Sequence, residues 1–274
     1  MSRNIVYGAC DWCMWTRDAD ALCALLAQEG IGTLQVLLTK SMLDAREGIA
    51  DAETLSSLRD SIRRHGITVA AVMGSVLDDV SIAADGEERK VLLDYLWRTI
   101  DAADALGAPM VVAPLFGVSY PNSGAELKRA AENLAWACDC AGARGILIGM
   151  EDILPADELD RLLKMVNRSN LRLFFDSQNY FTFRGENAAG RYRQFADSVC
   201  GVHFKDCDSD GKTARLGAGV TGFPETAEAV ASSEYAGCVI LENDYTALAR
   251  EAGAEAALAA LRTDLKILRE LFEK

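Results

Sequence analysis

Eight short apolar runs, each followed by a stretch of helical periodicity, succeed one another along this 274-residue chain. The runs are Ile5–Ala9, Thr33–Leu38, Thr68–Val72, Met110–Ala113, Ile146–Met150, Leu171–Phe175, Val199–Phe204 and Cys238–Leu241. They are nearly continuous in apolar character rather than alternating, the pattern of parallel strands covered on both faces. Eight strand-helix units are the number needed to close a parallel barrel, and right-handed crossovers favour that arrangement. The expected fold is therefore an α/β (β/α)₈ TIM barrel, formed by residues 1–274 as a single domain. An open doubly wound sheet would carry a Gly-rich turn after its first strand, where this chain has Cys-Asp-Trp-Cys.

The segments between the strands carry helix punctuation. Asp18 can cap a helix bearing Leu22, Leu25 and Leu26 on one face. Leu55, Leu58 and Ile62 share helical spacing, as do Leu92, Leu96, Ile100 and Ala103. Ser123 with Glu126 forms a capping-box pattern, and Pro155 suits a helix first turn. The final helix places Leu258, Leu261, Leu265, Leu268 and Phe272 on one stripe. The thinnest unit is Glu186–Asp197, which has few aliphatic residues, and the helix near Pro224–Ser232 is short.

Composition narrows the function classes. A formal charge of -13 repels nucleic acid phosphates, and no basic stripe offsets it. No run of about 18 apolar residues is present to span a membrane. The first residues, MSRNIVYGACDW, contain no apolar h-region, so a cytoplasmic location is expected. The eight cysteines then read as reduced thiols. Cys10-x-x-Cys13 has the spacing of a zinc or redox pair but no matching second pair, and is read as structural.

Catalytic residues of such barrels stand at the carboxyl ends of the strands. There the fifth run is followed by Glu151, the sixth by Asp176 and the eighth by Glu242, while the seventh contains His203. Any one of these has an ordinary explanation as a helix cap or a buried hydrogen-bonding group. Together, three carboxylates at one rim would repel strongly unless protons or a cation intervened. Three hard oxygens with one imidazole suit a single divalent ion, Mn²⁺ first, with Mg²⁺, Co²⁺, Fe²⁺ or Zn²⁺ as alternatives.

The segments LIGMEDIL, LRLFFDSQNY, VCGVHFKD, RLGAGVTGF and VILENDY resemble the sugar phosphate isomerase/epimerase family of xylose isomerase-like barrels. Gly66-Ile67-Thr68 and Gly107-Ala108-Pro109 extend the resemblance to the third and fourth strands. It implies metal ligation by Glu151, Asp176, His203 and Glu242, with Glu151 and Glu242 also moving the proton. Three positions depart from the family pattern. Asn179 replaces a common histidine, and Ala218 and Gly222 stand where the glycine loop usually carries acids.

The implied activity is metal-dependent isomerisation or epimerisation of a sugar or cyclitol, by proton abstraction next to a carbonyl through an enediolate. Loss of a β-hydroxyl from the same intermediate would instead give an inosose dehydratase-type lyase. A non-catalytic carbohydrate-binding barrel is a second alternative, and convergent carboxylates argue against it. An apurinic endonuclease-like barrel needs many histidines, whereas this chain has only His65 and His203. Expected substrate contacts are Asn179 to a hydroxyl, Lys205 to an oxyanion with Asp206 orienting it, Trp15 with Trp12 as an apolar wall, and Arg215. The apolar last helix permits a homo-oligomer without requiring one.

Overall fold

A computed structural model describes residues 4–273 of the chain. The strands are β1 (Val6–Cys10), β2 (Thr33–Leu38), β3 (Thr68–Gly74), β4 (Met110–Leu115), β5 (Leu147–Asp152), β6 (Leu171–Asp176), β7 (Val199–Phe204) and β8 (Cys238–Leu241). They follow one another in chain order around a closed barrel, so the expected (β/α)₈ TIM barrel is the fold. The helices are α1 (Ala19–Gln28), α2 (Lys40–Ala45), α3 (Ala52–His65), α4 (Gly86–Leu106), α5 (Gly124–Gly142) and α6 (Ala156–Val166). There follow α7 (Asn179–Arg184), α8 (Ala188–Phe195), α9 (Phe223–Ala231), α10 (Tyr245–Ala252) and α11 (Ala254–Phe272).

Local chemistry explains several boundaries. The Asp18 carboxylate accepts a hydrogen bond from the Ala21 N–H at 2.8 Å and starts α1. Ser123 accepts from the Glu126 N–H and starts α5. The Glu126 carboxylate reaches back to the N–H of Asn122, one residue earlier than a reciprocal capping box requires. Pro155 lies at the N-cap of α6 rather than in its first turn. The thin segment before β7 holds a two-turn helix, α8, capped by Asn187.

The chain divides into two compact units. One comprises Met1–Gln35, Ser61–Thr68 and Phe174–Lys274; the other comprises Val36–Asp60 and Val69–Leu173. In the first, β1 pairs in parallel with β2 and β8, and β8 pairs with β7. Its register sets Cys10 opposite Gln35, Gly8 opposite Ile240, and His203 opposite Ile240. In the second, β4 pairs with β3 and β5, and β5 pairs with β6. Its ladder carries Pro114 opposite Glu151 and Leu115 opposite Asp152, so β5 runs two residues beyond the apolar run. Glu151 thereby belongs to the strand instead of following it, and Asp176 is likewise the last residue of β6.

Gly201 has a packing reason. A Cβ there would lie 2.3 Å from the Phe174 ring, so only glycine lets β7 accept that ring beside His203. The Phe174 and His203 ring centroids are 4.5 Å apart.

Candidate active site

Asp176, His203, Lys205 and Glu242 meet at the carboxyl ends of β6, β7 and β8. Asp176 is 1% exposed, and its two oxygens have different tasks. Oδ1 accepts hydrogen bonds from the N–H groups of Gln178 at 2.7 Å and Asn179 at 2.6 Å. That backbone grip turns Oδ2 toward Lys205 Nζ at 3.0 Å and His203 Nδ1 at 3.8 Å. Glu242 lies one residue past β8, where its N–H donates to the Phe204 carbonyl and prolongs the β7–β8 ladder. Its Oε2 stands 3.2 Å from His203 Nδ1 and 2.8 Å from Lys205 Nζ.

His203 is fully buried. Its Nε2 lies 2.6 Å from Gln35 Oε1, an acceptor, so Nε2 carries the ring proton. Nδ1 then presents its lone pair toward the two carboxylates. Such a hydrogen bond on the far nitrogen is the usual support of a metal-binding imidazole. The Cys10 thiol also approaches, 3.8 Å from Nε2 and from Gln35 Oε1. Trp12 stands edge-on to the imidazole, with centroids 6.4 Å apart.

Electrostatics favour ionised carboxylates. In the metal-free chain burial alone would push the Glu242 carboxyl up, but a His203 that carries a second proton on Nδ1, together with the Lys205 ammonium, outweighs it and holds it below the ordinary carboxylate range. One ammonium thus serves two carboxylates. The donor atoms of Asp176, His203 and Glu242 lie within 4.8 Å of one another. Two anionic oxygens and a lone-pair nitrogen at that spacing fit a divalent ion of the harder class.

The other expected residues are placed as follows. Glu151 is the penultimate residue of β5, in the second unit, and is 2% exposed. Asn179 is buried at the start of α7, and its N–H helps to hold Asp176. Trp15 is half-buried just beyond the 3₁₀ turn Asp11–Cys13 that carries Trp12. Arg215 lies over the Tyr245 ring, with its guanidinium 3.6 Å from Asp264.

Asp206 requires a correction. The expectation was that it orients Lys205; instead its carboxylate accepts from the N–H groups of Gly217 and Gly219 and the Thr221 hydroxyl. It organises the glycine loop because Gly219, lacking a Cβ, can bring its backbone against the carboxylate. Sequence reasoning also missed two buried partners. Gln35 was visible as the one polar residue inside the Leu34–Leu38 run. Asp264 was visible as an acid on the apolar face of α11, where it accepts from Leu216 N–H, Asn243 Nδ2 and Tyr245 OH.

A family model described as xylose isomerase-like TIM barrel matches residues 23–264. The chain belongs to this family. A relative from an Actinoplanes species, 2-epi-5-epi-valiolone 7-phosphate 2-epimerase, is 31% identical over 185 residues. That match spans 66% of this chain and 66% of the relative, slightly under two thirds of its length. Among solved structures, D-psicose 3-epimerase from Clostridium cellulolyticum superposes with a TM-score of 0.76 at 15% identity, covering 97% of this chain and 99% of that one. An L-ribulose 3-epimerase gives 0.77 at 16% identity, covering 100% and 95%. A xylose isomerase domain protein from Planctomyces limnophilus gives 0.75 at 19%, covering 99% of both. At these identities the structural matches establish the shared fold.

Proposed function

We propose that the chain, acting as one catalytic domain, is a divalent-metal-dependent epimerase or isomerase of a keto-sugar or keto-cyclitol. The observation that carries this reading is the convergence of Asp176 Oδ2, His203 Nδ1 and Glu242 Oε2, with the histidine tautomer fixed from behind by Gln35. The resemblance in sequence adds Glu151, the penultimate residue of β5, as the proposed fourth ligand. The set suits one ion, Mn²⁺ first, with Mg²⁺, Co²⁺, Fe²⁺ or Zn²⁺ as substitutes. The names of the Actinoplanes relative and of the structural neighbours support inversion at a carbon centre.

Bound there, the ion supplies Lewis-acid polarisation of the substrate carbonyl. The chain's own groups do the rest. Glu242, held ionised, takes the proton from the carbon next to the carbonyl, and Glu151 returns one to the opposite face. Reversal of the reaction exchanges the two roles. The Lys205 ammonium neutralises the enediolate oxyanion. Asn179 holds a substrate hydroxyl and the tryptophans wall the apolar face of the ring, while Arg215 contacts the substrate only where the glycine loop reaches it.

No described helix is long and apolar enough to cross a membrane. A cytoplasmic location accords with eight free thiols.

The test is proton NMR in D₂O of the manganese-loaded protein with free ketoses, sugar phosphates and keto-inositols. Deuterium at an α-carbon together with a new epimer or isomer is the expected result. Loss of water would transfer the protein to the lyases, and absence of exchange across the panel would overturn the proposed chemistry for these substrates.

A further inference from the structure

Ser177 makes a set of hydrogen bonds that the proposed chemistry does not use. It follows Asp176, the last residue of β6, and is fully buried. Its N–H donates to the His203 carbonyl at 3.1 Å, which prolongs the contact between the neighbouring strands β6 and β7. Its hydroxyl then takes the place of a backbone rung. It accepts from the Lys205 N–H at 3.2 Å and donates to the Lys205 carbonyl at 3.0 Å. A hydroxyl can do both at once because it has one donor and two acceptor lone pairs. Lys205 lies one residue past β7, so this side chain grips the lysine where the strand has ended.

We propose that Ser177 is a positioning residue for Lys205: its hydroxyl fixes the lysine backbone so that the ammonium bridges Asp176 Oδ2 and Glu242 Oε2. The ammonium lies 3.0 Å from the first oxygen and 2.8 Å from the second. A flexible four-carbon stem separates the Lys205 backbone from Nζ, so the ammonium keeps one position only if the stem starts from a fixed one. With the Lys205 N–H and carbonyl both held by one hydroxyl, the origin and direction of that stem are set. Because Ser177 directly follows Asp176, the same residue also ties the Asp176 backbone to that of the lysine facing it. The effect on the site passes through Lys205 and is one of aim, which matters most where charge develops during a reaction. The consequence for turnover rests on the role proposed above for Lys205, whereas the grip on its backbone does not.

The experiment compares the full-length wild type with Ser177→Ala, Lys205→Met and the double variant. In the wild-type protein, nitrogen-resolved NMR should show a Lys205 amide protected from solvent exchange by about 100-fold or more, although it lies outside the strand. The Lys205 ammonium, identified among eight lysines by its absence from Lys205→Met, should give a slowly exchanging signal. Ser177→Ala should speed both exchanges by about tenfold or more. Turnover is measured on the manganese-loaded protein with the compound of the D₂O panel that exchanges at its α-carbon. There Ser177→Ala should lower kcat by about tenfold, with KM changed by less than about threefold. In the Lys205→Met background the same substitution should alter kcat by less than about twofold, as for two residues acting through one group. A wild-type Lys205 amide that exchanges like an open loop would overturn the grip, whether or not the alanine variant folds. Equal losses from Ser177→Ala with and without Lys205 would overturn positioning and leave a structural role. Absence of α-carbon exchange across the panel, with both Lys205 signals protected, would uphold the grip and count against the proposed function.

Discussion

Replacing Gln35 with methionine should separate metal affinity from stability. Gln35 is fully buried, and its Oε1 accepts the proton that fixes the His203 tautomer. Methionine has nearly the same volume, so neither cavity nor overpacking is expected. Two terms then oppose each other in the fold. The His203 Nε2–H loses its acceptor, at a cost of about 1–3 kcal/mol. The Gln35 Nε2, buried without a hydrogen-bond partner, is removed, which returns a similar amount, again about 1–3 kcal/mol. The net change in unfolding free energy should fall within about 1 kcal/mol. Metal binding has no such compensation, because the Cys10 sulfur, 3.8 Å from Nε2, is a weaker acceptor than the amide oxygen it would replace. Loss of such support typically costs about 10- to 100-fold in affinity, or about 1.4 to 2.7 kcal/mol. The assay is calorimetric Mn²⁺ titration beside urea unfolding. Nitrogen NMR of the imidazoles supplies the structural readout, made tractable by a chain with two histidines. An affinity within about twofold of wild type, with the His203 tautomer unchanged, would refute the reasoning.

Three further outcomes follow from the same packing and charge arguments. Gly201→Ala should destabilise the fold by about 1–3 kcal/mol, because its Cβ falls on the Phe174 ring, and denaturant unfolding measures this. Burial pushes the Asp264 carboxyl up despite its donors, so the native state holds that proton more tightly than the unfolded chain does. The stability due to Asp264 is therefore complete below its unfolded pKa and declines as pH rises through the native value; the wild-type margin over Asp264→Asn should shrink from acid to neutral pH in thermal melts. Burial raises the Cys138 thiol to about 12 and the Cys23 and Cys238 thiols to about 11. At pH 8 iodoacetamide should modify all three at least about 100-fold more slowly in the native chain than in urea, as read by peptide mass spectrometry.

The barrel was legible because its information is local. Each strand is an apolar run that would be anomalous anywhere but between two covering layers, and several helices, α1, α4 and α5 among them, carry a side-chain cap with an apolar face. The acids proposed as ligands stood out for a related reason: Glu151, Asp176 and Glu242 stand where apolar runs stop, so their exceptional polarity falls at strand ends. What escaped depends on register and loop conformation. Gln35 is as anomalous in its strand as any ligand, but its task becomes visible only when β1 and β2 pair and Cys10 comes opposite it. His203 and Gln35 are 168 residues apart in sequence, and no spacing rule joins them.

Asp206 shows the other limit. Its neighbour Lys205 made an ion pair the obvious reading, since residue types indicate charge but not direction. Lys205 and Asp206 both lie just past the end of β7, where the direction of each side chain is set by the loop. The structure resolves the pair accordingly, with Lys205 turned to Asp176 and Glu242 and Asp206 turned to the backbone of the glycine loop. Asn243 links the two sides, accepting from the Asp206 N–H and donating to Asp264. The residue after catalytic Glu242 in the proposed mechanism is therefore anchored to both the loop and α11. In this arrangement Lys205 is left to serve the two carboxylates while Asp206 gives mechanical support to the loop. The loop residues that depart from the family pattern, Ala218 and Gly222, stand beside the Gly217, Gly219 and Thr221 groups that Asp206 holds and leave that grip intact.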